Sequence, residues 1–169
     1  MPLRGEKIRT GSLHGLGAHS PVARREFDRS SPVALDVDEA SRRLVIERAG
    51  RRCEYCLVDE DSAGFPHQID RIISRKHGGS SGIGNLAYAC VLCNRYKGSD
   101  IASVDRSGNP IRFLDPRRDI WDEHFKLNGP VIQPMTPVGK VTARVLRLNI
   151  SERVIERQLW QALGQYRRD

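Results

Sequence analysis

Residues 53–56 (CEYC) and 90–93 (CVLC) decide the fold, because each stretch places two cysteines three positions apart. The chain contains four cysteines, and all of them lie in these two pairs. Four thiolates on two such turns can surround one ion tetrahedrally, which is the geometry of a structural zinc site. Four unrelated buried cysteines, or a redox-active CxxC, are the alternatives, and both require the repeated spacing to be a coincidence. The pattern therefore predicts a zinc centre formed by Cys53, Cys56, Cys90 and Cys93.

The segment between the pairs is too long for a compact zinc ribbon, so the metal is expected to staple a helix to an inserted motif. Upstream, Asp36 or Asp38 can cap a helix that runs through EASRRLVIERAG and leads into the first pair. QIDRII (68–73) has the composition of a strand. We expect Asn85 to cap a helix over LAYACVLCNRYK, with Gly98 just beyond its end.

The part after Gly98 is predicted to contain short strands and helices. Strands are expected at 111–114 and 131–133, and a short helix is expected to begin at Asp115-Pro116 and to place Trp121, His124 and Phe125 on one face. Thr136-Pro137 is typical of a helix start. The last helix is expected to begin at Ser151 and to bury an apolar stripe, which consists of Val154, Ile155, Leu159, Trp160 and Leu163.

Composition gives the class of partner. The 28 Lys and Arg exceed the 21 Asp and Glu, which leaves a net charge of +7 and favours an anionic partner such as nucleic acid. No apolar run approaches the ~18 residues of a membrane span, so no membrane is expected as a partner. The cysteine usage and the polar start predict a reducing compartment, the cytoplasm. We expect a disordered basic leader at 1–35, a zinc-containing domain at 36–100 and an extension at 101–169 that packs on it.

The residues between and after the cysteine pairs carry a more specific signal. HQIDRIISRKHGG (67–79), NLAYAC (85–90) and LCNRYKG (92–98) follow one another in the order and spacing of the HNH endonucleases of the ββα-metal type, and the chain resembles that family over about residues 44–100. FLDPRRDIWDEHF (113–125) and TPVGKVTARVLRLN (136–149) resemble a subgroup of these proteins.

The resemblance implies an α+β fold. Its core is a small ββα-metal unit stapled by the four-cysteine zinc site, with a flanking N-terminal helix and a mainly helical C-terminal tail. It also implies that Asp70 and Asn94 hold a catalytic divalent cation, Mg²⁺ or another ion, and that Asn85 helps to hold the hairpin loop. Carboxylate and carbonyl oxygens are ligands that such hard cations take, and a bound cation can neutralise charge on a scissile phosphate.

Position 71 departs from the family pattern, which places a general-base histidine directly after the aspartate. Arg71 stays cationic near neutral pH and cannot accept a proton from water, although it can clamp a phosphate. Losing one positioned base typically costs ~10²–10⁴-fold in rate. His77, in the loop beside the glycine pair, is the candidate replacement, whereas strand alternation turns His67 away from Asp70.

Basic residues around the motif suit backbone phosphates rather than base edges. Arg75, Lys76, Arg95 and Lys97 are the candidate nucleic-acid contacts. The leading hypothesis is therefore a metal-dependent endonuclease that hydrolyses phosphodiester bonds, in DNA. Two alternatives stay open: a zinc-stapled nucleic-acid-binding protein with weak or no cleavage, motivated by Arg71, and a structural zinc module that contacts other proteins through its helical tail.

Overall fold

A computed structural model describes residues 37–166, and the predicted basic leader at 1–35 lies outside the described residues. Five α-helices and three two-stranded antiparallel sheets make up this part of the chain. The helices are α1 (Glu39–Arg48), α2 (Val91–Lys97), α3 (Trp121–His124), α4 (Pro137–Val145) and α5 (Ser151–Ala162). The strands are β1 (Gln68–Arg71), β2 (Leu86–Ala89), β3 (Ala102–Val104), β4 (Pro110–Arg112), β5 (Phe125–Asn128) and β6 (Val131–Pro134).

Helix α1 begins where the sequence predicts it, with Asp38 as its cap. The Asp38 carboxylate accepts hydrogen bonds from the Ser41 backbone N–H at 2.8 Å and the Ser41 hydroxyl at 2.7 Å. These bonds satisfy a donor that the first helical turn leaves open. The helix then buries Val45 in a small apolar cluster with Leu86 and Tyr88 of β2. It therefore packs on the strand that precedes the second cysteine pair.

The segment after Asn85 differs from the prediction. Leu86–Ala89 is not the start of a helix but strand β2, which pairs with β1 in the register Gln68↔Ala89 to Arg71↔Leu86. On its other edge, the Tyr88 N–H donates to the Glu54 carboxylate at 2.7 Å and the Tyr88 carbonyl accepts from the Glu54 N–H at 2.8 Å. Because all four strand residues are buried, pairing on both edges outweighs their local helical preference. Helix α2 begins only after Cys90, which is its N-cap.

The extension begins with two hairpins, β3–β4 and β5–β6. Both predicted strands are present, but the first spans Pro110–Arg112 rather than 111–114, and the second is Val131–Pro134. The helix predicted from Asp115 is wrong in extent, because residues 115–119 form a turn and α3 spans only Trp121–His124. Phe125 already belongs to β5, where it is 1% exposed, and Trp121 packs half-buried against it, with ring centroids 5.1 Å apart. The apolar side chains of this segment are thus core, as their spacing predicts.

Helix α4 is confirmed, and its cap is the Thr136 hydroxyl, which accepts from the Gly139 N–H at 3.1 Å. Helix α5 begins at Ser151 as expected, but its predicted buried stripe is only partly right, since Val154 and Trp160 are half-buried and the other three residues are exposed. Ile155, Leu159 and Leu163 are 67%, 58% and 62% exposed, and the fully buried side chains of the helix are Arg153 and Arg157. The two arginines can be buried because both guanidiniums donate hydrogen bonds to carbonyl oxygens inside the fold.

The main hydrophobic core takes residues from both sides of Gly98. It contains all four cysteines together with Phe113, Phe125, Leu146 and Tyr166. The division of the chain at residue 100 stays a prediction, but the extension and the cysteine-bearing segment share this core. The predicted fold class is confirmed: an α+β protein with small sheets and a four-cysteine cluster. Among the described residues, no helix has the length and apolar character needed to cross a membrane.

Candidate metal centre and nucleic-acid interface

The two cysteine pairs meet at one point beside the β1–β2 hairpin. Cys53 and Cys56 lie on the tight turn after α1, which is closed by a 2.8 Å hydrogen bond from the Leu57 N–H to the Cys53 carbonyl. Cys90 caps α2, and Cys93 lies in its first turn. All four sulfur atoms lie within 4.8 Å of one another and all four residues are buried. The structure thus brings together the four residues that the spacing singled out.

The chemistry of this cluster fits a zinc ion. Burial raises the pKa of the Cys53 and Cys93 thiols well above the ordinary value, so thiolates here need a cation to compensate their charge. Four buried sulfurs within 4.8 Å of one another are the donor set of a structural zinc site. No other group of three or more His, Cys, Asp or Glu side chains in residues 37–166 comes close enough to hold a metal.

Asp70, the predicted ligand of the catalytic cation, is buried at the centre of the hairpin. It is 4% exposed, and both carboxylate oxygens are engaged: Lys97 Nζ lies 3.1 Å from Oδ1, and the Tyr55 hydroxyl donates to Oδ2 at 2.6 Å. Burial raises the pKa of Asp70, and the contacts with Lys97 and Tyr55 oppose that rise. Lys97, 1% exposed, also donates to the Arg71 carbonyl at 2.9 Å. The Lys97 ammonium thus pairs with the Asp70 carboxylate, which the resemblance implies should bind a divalent cation.

The other two residues of the predicted centre have clear structural partners. The Asn94 amide donates to Gln68 Oε1 at 2.5 Å, across from α2 to β1. Asn85 fastens the hairpin loop, because its Oδ1 accepts from the Ile73 N–H at 2.9 Å and its Nδ2 donates to the carbonyls of Ile73 and Ser80, both at 2.8 Å. Asn85 therefore has the loop-holding geometry that the resemblance implies, and it does not cap a helix.

A shallow depression joins β1, the loop after it and the end of α2, and we call it the basic depression. It brings together Asp70, Arg71, Arg75, Lys76 and Asn94 from the predicted site; the remaining lining residues are Ile69, Ser74, Gly98 and Ser99. Arg71 is half-buried, and its Nε and Nη2 donate to the Ser81 hydroxyl at 3.4 and 3.0 Å. Two of its five N–H donors are used there.

The remaining candidates lie elsewhere. His77 is exposed at the end of a single 3₁₀ turn (Arg75–His77) and is not among the residues that line the basic depression. His67 is buried against the ring of Tyr88, which pairs with Ile69, so it lies on the strand face opposite to Asp70. Arg95 is exposed on α2 outside the depression. The assignment of Lys97 to nucleic acid conflicts with its burial, because its ammonium is enclosed against Asp70.

Two partners in this site were missed by sequence reasoning. The sequence assigns Tyr55 no role beyond its place inside CEYC, and it predicts Lys97 as a nucleic-acid contact. The available signal for Lys97 was its i,i+4 relation to Cys93, which turns it toward the buried side of α2. Nothing in the sequence pairs Tyr55 with a carboxylate 15 residues away.

Hairpin, helix and four-cysteine centre together form a ββα arrangement whose cysteine cluster fits a zinc site. Residues 53–100 match the model of the family described as HNH endonuclease, which is the family that the sequence resemblance predicts for this segment. The family indicates a nuclease-type or nucleic-acid-binding function. No curated protein and no solved structure matches the chain.

The family implies a divalent cation besides zinc, and the donor set around Asp70 does not fit one. A hard dication takes several oxygens, with at least one carboxylate to match its charge. The single carboxylate in the basic depression is already paired with the Lys97 ammonium, which would repel a dication bound to the same oxygens.

Proposed function

We propose that this protein binds the phosphodiester backbone of nucleic acid, specifically DNA, through the basic depression and does not hydrolyse it. One observation supports this most strongly: three cationic side chains, Arg71, Arg75 and Lys76, line the depression, and its only carboxylate is paired with Lys97. The lining therefore offers a phosphate three cations and no uncompensated acidic group. Contacts of this kind fix a protein on the duplex without reading its sequence.

Two features of the depression disfavour hydrolysis: the residue at position 71 and the pairing of Asp70 with Lys97. Arg71 stands where a base should accept a proton from water, and a guanidinium cannot do so. His77, the nearest replacement in the sequence, lies outside the depression. The cation that would stabilise the leaving oxygen has no fitting site while Lys97 Nζ lies 3.1 Å from Asp70 Oδ1. Both parts of the usual chemistry are thus missing, while the phosphate-binding side chains are present.

The second candidate is the metal-dependent endonuclease. It is favoured by one observation, that Asp70 and Asn94 line the same depression. Carboxylate and amide oxygens are ligand types that Mg²⁺ takes, although the Asp70 carboxylate is paired with Lys97 here. This function requires the Lys97 ammonium to leave the Asp70 carboxylate when the cation arrives.

Binding is tested by fluorescence anisotropy with a labelled DNA duplex, using zinc-loaded protein in buffer freed of other divalent ions. Three phosphate contacts predict a slope of log K against log salt of about −2.7, from about −0.9 per contact. The double variant R75A/K76A should lower the slope to about −0.9. R106A removes one exposed charge from the β3–β4 turn and is the control, with an expected slope unchanged. No salt-dependent binding by the wild type would overturn the proposal.

Cleavage is tested on supercoiled plasmid with added Mg²⁺ or Mn²⁺. We expect no nicking by the wild type at protein concentrations that saturate binding. Metal-dependent nicking that disappears in N94A would instead establish the second candidate, and N94A is preferred to D70A because Asp70 is buried and its removal endangers the fold. In that case R71H should nick faster, since it restores a base at the family position.

A further inference from the structure

Arg153 lies on the first turn of α5 and is 4% exposed, with its guanidinium directed at the cysteine cluster. Its Nη2 lies 3.3 Å from Cys93 Sγ and 3.9 Å from Cys90 Sγ. Its Nη1 donates to the carbonyls of Leu146 at 2.9 Å and Arg147 at 3.4 Å. The two carbonyls fix the plane of the guanidinium, and the other amino group is thereby presented to the sulfurs.

We propose that Arg153 is a positioning residue of the zinc centre, which donates hydrogen bonds to the Cys93 and Cys90 thiolates and offsets the negative charge of the metal–thiolate cluster. Four thiolates around one Zn²⁺ carry a net charge of about −2, and in a buried site this charge needs compensation. Donors that bond to metal ligands tune metal affinity through such contacts.

Among the described residues, the sulfur atoms of Cys93 and Cys90 are the groups that can supply a negative charge next to Arg153. A buried arginine is costly unless an anion is close. Within residues 37–166, no carboxylate forms an ion pair with Arg153. Its nearest negative groups are the cysteine sulfurs, which come from a segment about sixty residues earlier in the chain.

Arg157, one turn further along α5, provides an internal comparison. It is equally buried, at 2% exposed, but its Nε donates to the Pro130 carbonyl at 2.5 Å and its Nη2 to Asn149 Oδ1 at 2.9 Å. Neither of these bonds reaches a cysteine. A variant at 157 therefore removes a buried arginine from the same helix without removing a hydrogen bond to a cysteine sulfur.

The proposal extends the metal centre beyond the segment that matches the family. Residues 53–100 supply the four ligands, whereas the cation that steadies two of them comes from α5. The proposal concerns zinc retention alone, so it stands or falls independently of nucleic-acid binding.

The test compares zinc release from the full chain to the chelator 4-(2-pyridylazo)resorcinol in the wild type, R153M, R153K and R157M. We expect R153M to lower zinc affinity by about 10–100-fold, the range typical when a partner of a metal ligand is removed. R157M should stay within about threefold of the wild type even where it unfolds more easily, because it leaves the contacts to the metal ligands intact. R153K, which keeps the charge, should recover part of the loss.

A spectroscopic measurement separates this role from simple loss of packing. With Co²⁺ in place of zinc, the sulfur-to-cobalt charge-transfer band of R153M should shift relative to the wild type, and that of R157M should not. Equal zinc release from R153M and R157M, or an unshifted cobalt spectrum in R153M, would overturn the proposal. Should R153M fail to fold, R153K provides the same comparison, since ammonium and guanidinium bond differently to sulfur.

Discussion

Gly79 occupies a position at which a side chain does not fit. A Cβ built there would lie 1.7 Å from the Ile73 carbonyl oxygen and 2.8 Å from Asn85 Nδ2. The backbone of the loop passes so close because Asn85 draws together the strand end at Ile73 and the loop at Ser80. The second glycine of the Gly-Gly pair is therefore a packing requirement of the hairpin loop.

We predict that G79A destabilises the protein by about 3 kcal/mol, the upper end of the cost of overpacking, because rigid backbone rather than a flexible side chain must move. G84A is the matched control: it adds a methyl group in the same loop where nothing lies within 4 Å, and its effect should stay within about 0.5 kcal/mol. Urea unfolding of the zinc-loaded protein measures both. Equal stabilities of the two variants would contradict this prediction and show that the loop backbone moves to accommodate a side chain at position 79.

At the scale of residues, the sequence predicted the cysteine cluster but not the long-range contacts of the buried cations. The four cysteines could be identified because CxxC spacing is local and has few other uses. The Lys97–Asp70 pair and the Arg153–Cys93 contact could not, since they join residues 27 and 60 positions apart. Contacts of this range depend on how elements pack, which no periodicity in the sequence encodes.

At the scale of elements, the prediction failed where local preference and tertiary context disagree. LAYA has helical character, but β1 on one edge and Glu54 on the other make it a strand. In α5 the apolar residues indicated the buried face, yet Ile155 and Leu159 are exposed and Arg153 and Arg157 lie inside. A hydrophobic pattern assumes that charges stay in water, and here buried acceptors for two guanidiniums reverse it.

Strand β4 is joined to the turn before α3 through Asp119, whose side chain is 8% exposed. Its carboxylate accepts from both Arg112 amino groups, at 2.5 and 2.7 Å, and from the Asp115 N–H at 2.8 Å. The Arg112 contact holds the pKa of Asp119 below its usual value, with the Asp115 N–H contributing in the same direction. This carboxylate therefore favours the fold only in its charged form.

We predict that D119N lowers the free energy of unfolding by about 1–2 kcal/mol at pH 7, in line with the loss of hydrogen bonds to a charged group. Because the pKa is lower in the folded state, this stabilisation is complete above the unfolded pKa of about 3.9 and is lost as the pH falls through the folded value. The difference between wild type and D119N should thus shrink below about pH 4. Urea unfolding at several pH values measures it, with the exposed D100N as control; a difference independent of pH would contradict this account.

At the scale of the whole molecule, the four-cysteine site and the extension share one core. The four cysteines share their hydrophobic cluster with Phe113, Phe125 and Leu146, and Tyr166 donates its hydroxyl proton to the Cys56 carbonyl at 2.5 Å. Without a cation, the four buried cysteine side chains would lack the partner that offsets the cost of burying them. Metal binding should therefore stabilise residues far outside the two CxxC turns.

We predict that removing zinc with a strong chelator unfolds the extension as well as the hairpin. The chain has two tryptophans, Trp121 and Trp160, and both belong to the extension and pack against the core that contains the cysteines. Structural zinc contributes about 10–16 kcal/mol of apparent binding free energy, which is comparable to the stability of a whole domain. Its loss should therefore unfold the protein. Tryptophan emission should shift to the red together with the loss of helical circular dichroism, and both should recover when zinc is returned. If the emission and most of the helical signal persisted in the zinc-free protein, the extension would be a separate folding unit, and the shared core would not be what makes the fold cooperative.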